Sequence, residues 1–97
     1  MKVIVKFTPE MSRLTKTDQA VVDLDETAHL SDLLKVLAMR YGESLTDLLY
    51  MSEHNSIEVW PSVIAQGLVI SLPLTPNSDV KIKDGSVVVL MTPASGG

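Results

Sequence analysis

Apolar and polar residues alternate from Lys2 to Phe7, with Val3, Val5 and Phe7 on one face and Lys2, Ile4 and Lys6 on the other. A period of two predicts a half-buried strand. Pro9 cannot donate to a ladder, so Thr8-Pro9-Glu10 ends this strand, and residues 8–18 read as a polar loop. Alternation resumes from Gln19 to Asp25, with Ala20, Val22 and Leu24 facing one way and Val21, Asp23 and Asp25 the other. A hairpin with the first strand follows. The period then switches. Leu30, Leu33, Leu34, Leu37, Ala38 and Tyr41 recur at helical spacing. Ser31 is the expected N-cap, Asp32 and Arg40 suit the two dipole ends, and Gly42 suits the C-terminal cap.

Further along, Leu45 to Met51 reads as a second short helix after Ser44. Two short apolar runs between Val63 and Leu72 predict one or two strands, with a turn or bulge at Gly67. Pro61, Pro73 and Pro76 mark breaks, and Asp84-Gly85 is a turn signal. Val87 to Met91 is apolar without interruption, as in a central strand covered on at least one face. A hairpin, one crossover helix and a late strand predict an α+β class with the helix packed on one face of a mixed sheet.

Ninety-seven residues suit one small domain, 1–97, and the sequence has no internal repeat or linker. Hydrophobic residues are 45% and charged residues 21%, a globular balance and not that of a disordered chain. Net charge is −4 and the lysines and arginines are scattered, which argues against a nucleic-acid partner and suits a basic protein partner. The absence of cysteine removes disulfides, thiolate metal sites and a catalytic thiol together. The lysine-interrupted start reads as a strand and not a signal peptide, and no apolar run could span a bilayer. A cytoplasmic protein with no membrane partner is the expectation.

Candidate chemistry is sparse. The glycines form no phosphate loop or dinucleotide fingerprint, and there is no nucleophile elbow. His29 and His54 have no second ligand at metal spacing, so they read as solvated and no metal site is expected. Asp23 and Asp25 read as a solvated strand face, the dispersed methionines as gap fillers or surface residues, and Trp60 as a partly buried core edge. What remains is the end, Ser95-Gly96-Gly97. Two residues without a Cβ make a narrow, flexible stalk. A terminal carboxylate with a reference pKa of about 3.3–3.7 is ionised at neutral pH. A frayed terminus of no function is the plainer alternative.

The run Asp84-Gly85-Ser86-Val87-Val88-Val89-Leu90-Met91-Thr92-Pro93-Ala94-Ser95-Gly96-Gly97 resembles the C-terminal signature of the small, sulfur-carrying subunit of molybdopterin synthase. That family shows Asp-Gly-Asp, an apolar strand, Pro-Pro, a small aliphatic residue, Ala or Ser, and Gly-Gly. The thiamine-pathway sulfur carrier and ubiquitin are more distant relatives. His29 to Leu34 and Arg40-Tyr41-Gly42 are similar to the ends of the family's helix. Ser86, Thr92 and Ala94 depart from the pattern, and residues 50–80 are longer than usual.

The resemblance implies a ubiquitin-like β-grasp, with a mixed sheet packed against one main helix, a second short helix and a flexible tail over 92–97. It implies a carrier and not an enzyme. An adenylyltransferase resembling ubiquitin-activating enzymes would use ATP to adenylate Gly97. A sulfur donor protein would then displace AMP and leave a thiocarboxylate, and the chain would itself bind no cofactor. Gly96 would give clearance, Thr92, Pro93, Ala94 and Ser95 would form the stalk, and Leu90 and Met91 would add apolar contact at its base. The large subunit of molybdopterin synthase would receive the tail for molybdenum or tungsten cofactor synthesis. A modifier joined to lysines, or a carrier for thiamine synthesis or tRNA thiolation, is the alternative.

Overall fold

The computed structural model describes residues 1–50, 61–72 and 74–91. The expectations for Met51, His54, Trp60, Pro73 and the tail therefore lie outside the described residues. Strand β1 (Lys2–Phe7) buries Val3, Val5 and Phe7, and β2 (Gln19–Asp23) buries Ala20 and Val22. The two pair antiparallel, Val3 opposite Val22 and Val5 opposite Ala20, so one alternating face of each meets the core.

The connection between them is not a loop. Helix α1 spans Pro9–Thr15. Pro9 ends β1, and it also opens a helix, because the first helical position needs no N–H and the ring presets φ. Met11 is fully buried and Thr15 nearly so, one turn apart on one face. A single i, i+4 pair in seven residues is too short a period to stand out in the sequence. Met11 is thus core and not surface.

Helix α2 (Leu30–Tyr41) buries Leu30, Leu33, Leu34 and Leu37. Its N-cap is His29 and not Ser31. The Asp32 carboxylate accepts the His29 backbone N–H at 2.8 Å, which satisfies a donor ahead of the first turn. Ser31 lies inside the helix, and its N–H and hydroxyl both donate to Asp79, at 2.8 and 2.7 Å. At the other end Gly42 adopts φ 87°, ψ −165°, a region essentially reserved for glycine. Helix α3 (Glu43–Tyr50) follows directly and buries Leu45 and Leu49. The Phe7 and Tyr41 rings meet edge to face at 5.8 Å, fixing the end of α2 to β1.

Strands β3 (Ser62–Ala65) and β4 (Leu68–Ser71) form a hairpin. Its two turn residues, Gln66 and Gly67, have φ of 53° and 77°, the handedness that matches strand twist. Strand β5 (Val87–Met91) lies in the middle of the sheet, whose order is β2-β1-β5-β3-β4. It runs parallel to β1 and antiparallel to β3. One sheet face and the helices share a single core that includes Val5, Leu34, Val63 and Leu90. The other face carries Lys2, Lys6, Val21, Val69 and Val87 and is open to solvent.

Candidate functional site

The only segment to which the sequence assigns reactive chemistry is the one that β5 carries. A tight turn leads into it. Gly85 has φ 76° and donates its N–H to the Lys2 carbonyl at 3.0 Å. The Asp84 carboxylate accepts the Lys2 N–H at 3.0 Å. These bonds set the register in which Ile4 donates to the Ser86 carbonyl at 3.0 Å and Phe7 lies opposite Leu90. On the other side Ser62 lies opposite Met91. Strand β5 is therefore paired on both edges, with β1 as far as Leu90 and with β3 as far as Met91. Met91, the last described residue, lies in the central strand next to Leu90, whose carbonyl accepts the N–H of the α1 N-cap, Thr8.

The strand splits the two residues expected to give apolar contact. Leu90 has zero exposure and fills the core, so its part is to anchor β5 and not to touch a partner. Met91 is half-buried on the open face. Thr92, Pro93, Ala94, Ser95, Gly96 and Gly97 lie outside the described residues.

Thr8 stands at the same place. Its N–H donates to the Leu90 carbonyl at 3.2 Å. Among the described residues, its hydroxyl oxygen is the one buried side-chain polar atom without a hydrogen-bond partner. Asp79 is the other residue whose role sequence reading missed, because its contact with Ser31 spans 48 positions.

The remaining candidates do not assemble. His29 is exposed and caps a helix. Strand β2 stops at Asp23, so Asp25 does not share a strand face with it; Asp25 instead accepts the Thr27 N–H at 3.3 Å in the following turn. Among the described residues no three histidine, cysteine or carboxylate side chains are grouped to hold a metal ion. No helix there is long and apolar enough to cross a membrane.

No family model matches the sequence, and no curated protein is significantly similar to it. Solved structures are. A protein of Pyrococcus furiosus described as molybdopterin converting factor, subunit 1, superposes with a TM-score of 0.69 at 25% identity, covering 96% of this chain and 98% of that one. The crystal structure of SAMP1 from Haloferax volcanii superposes with a TM-score of 0.76 at 18% identity, covering all of both chains. The small archaeal modifier protein 1 of Methanosarcina acetivorans gives 0.69 at 18% identity, over 99% and 96%. The chain has the ubiquitin-like β-grasp fold. Its neighbours in structure are thus a molybdopterin converting factor subunit and ubiquitin-like modifiers, as the resemblance of its last fourteen residues implied.

Proposed function

We propose that this chain is a sulfur carrier that acts through the carboxylate of Gly97 and delivers sulfur in molybdopterin synthesis. The observation that carries the reading is the central strand. Strand β5 is clamped between β1 and β3, and the run it lies in, Asp84 to Gly97, resembles the sulfur-carrying signature. The P. furiosus neighbour supports the choice of pathway.

The chemistry needs no side chain of this protein as acid or base. A Gly97 carboxylate oxygen attacks the α-phosphorus of ATP held by an activating enzyme, and pyrophosphate leaves. The acyl adenylate is a good electrophile because AMP is a good leaving group. A persulfide on a donor protein attacks the Gly97 carbonyl carbon and AMP departs. Reductive cleavage of the donor's S–S bond by a thiol then leaves a thiocarboxylate. The folded domain supplies a rigid base; the absence of Cβ atoms at Gly96 and Gly97 lets the end pass through a narrow channel. Met91 and the stalk from Thr92 to Ser95 make the contacts that seat it on a synthase large subunit in the cytoplasm.

Co-expression with a cognate activating enzyme and intact mass measurement tests this. The expected product has one oxygen replaced by sulfur, with fragmentation placing it on Gly97. Its absence beside an active enzyme overturns the proposal. The SAMP1 neighbours favour a second reading, attachment of Gly97 to lysines of other proteins. A Gly-Gly remnant on lysines of cellular proteins, lost on deletion of Gly96 and Gly97, would establish that reading.

A further inference from the structure

The two edges of the sheet are treated differently by the fold. At β2, Phe7 donates to the Asp18 carbonyl and Leu24 to the Met1 carbonyl, at 2.9 and 2.8 Å. These bonds set the phase of the ladder. The backbone groups of Gln19, Val21 and Asp23 then point away from β1, toward the free edge. That edge is guarded. The Arg40 guanidinium donates to the Val21 carbonyl at 3.2 Å, and Asp23 adds a charge at the strand's end.

At β4 the phase is set by Leu72 donating to the Pro61 carbonyl at 2.9 Å. Val69 and Ser71 therefore direct their N–H and C=O groups outward. Among the described residues nothing meets them. The strand from Leu68 to Ser71 has no lysine, carboxylate or proline, the usual devices that blunt an edge. Leu68 and Val69 are 54% and 69% exposed, on opposite faces of the strand.

We infer that β4 is a strand-addition edge whose occupant is β4 of a second copy of this chain. An antiparallel two-fold pairing centred on Ile70 places Val69 of one protomer opposite Ser71 of its partner, and the reverse. Both are the residues whose backbone groups face outward, so the register is self-complementary. It forms two hydrogen-bonded pairs, about four backbone hydrogen bonds. The pairing extends the sheet across both protomers and covers Leu68 and Val69. It also brings together the uncharged strand of a chain with net charge −4. The remaining opposition to self-association is long-range repulsion, which salt screens. The strand β3 separates this edge from β5, so pairing leaves the end of β5 uncovered in both copies.

The test is sedimentation of the full chain from about 10 μM to about 1 mM, the range in which so small an interface associates. The expected result is a weight-average mass that climbs toward twice the monomer and climbs further in high salt. Val69→Lys is expected to hold the chain monomeric throughout, whereas Val21→Lys on the guarded edge leaves association unchanged. NMR of the unmodified protein is a second readout, independent of any variant. The amide signals of Val69 and Ser71 should move with concentration and gain exchange protection, while those of Gln19 and Val21 stay fixed. A chain that stays monomeric over the whole range overturns the inference. So does association that Val69→Lys leaves intact, or concentration-dependent shifts confined to residues outside β4. Since the tail plays no part, sulfur loading and pairing stand or fall separately.

Discussion

Replacing Asp79 by alanine removes the one side chain that, among the described residues, hydrogen-bonds the 79–82 segment to the first turn of α2. Its carboxylate accepts two bonds from Ser31, from the N–H at 2.8 Å and the hydroxyl at 2.7 Å, in a partly buried setting. Bonds to a charged group contribute about 1.5–3 kcal/mol each when buried. A negative charge at a helix N-terminus adds about 0.3–1 kcal/mol. Water can reach this site and replaces part of what is lost, so Asp79→Ala is expected to cost about 2 kcal/mol in total. With a urea slope of about 1 kcal/mol/M for a domain of this size, the unfolding midpoint falls by about 2 M. Asp79→Asn keeps an acceptor and should lose about half as much. Ser31→Ala removes only the hydroxyl bond, at about 1 kcal/mol, and should cost almost nothing in the Asp79→Ala background. Urea titrations of the four proteins complete the cycle. An Asp79→Ala midpoint within about 0.3 M of the parent, or fully additive effects, would refute the reasoning.

Gly85→Ala is a test of backbone strain alone. A Cβ there would meet nothing within 4 Å, but φ is +76°, so the cost is about 1–2 kcal/mol by thermal or urea unfolding. A neutral substitution would mean the turn adapts freely. Thr8→Val removes the unpartnered buried hydroxyl at constant shape and should raise stability by about 1 kcal/mol in urea. Destabilisation would show that the hydroxyl caps α1. Met11→Ala should cost about 2–5 kcal/mol, since the side chain is fully buried, whereas a surface residue would cost under about 0.5. Leu90→Ala should fall in the same 2–5 range by the same measurement, roughly. Met91→Ala should cost under about 1 kcal/mol in stability yet slow sulfur delivery to the large subunit in a single-turnover assay.

Long, clean periods survive any tertiary context, and those elements were legible in the chain. The alternation of Lys2–Phe7 and the leucine spacing of Leu30–Tyr41 each commit a whole face to the core, so both elements appear, although α2 starts at Leu30, ahead of the cap expected at Ser31. Gly67 marked a turn or bulge in the chain, because a positive φ favours glycine, and the structure makes it the second residue of a two-residue turn. Helix α1 was hidden, because Pro9 signals both the end of a strand and the start of a helix, and only the packing of Met11 decides between them. Ser31, a serine beside an apolar run, satisfies the local rule for an N-cap yet lies inside the helix. Its hydroxyl is instead taken by Asp79, from the far side of the fold. The chemistry of the diglycine end is a property of residue types, so Gly96 and Gly97 announced themselves without a fold. The unbroken apolar run Val87–Met91 already predicted a central strand, which β5 is. Two other matters required the tertiary structure: that Leu90 is spent on the core, and that among the described residues one sheet edge is guarded while the other is bare. Each depends on contacts between residues far apart in sequence, which the period and composition of a single segment do not encode.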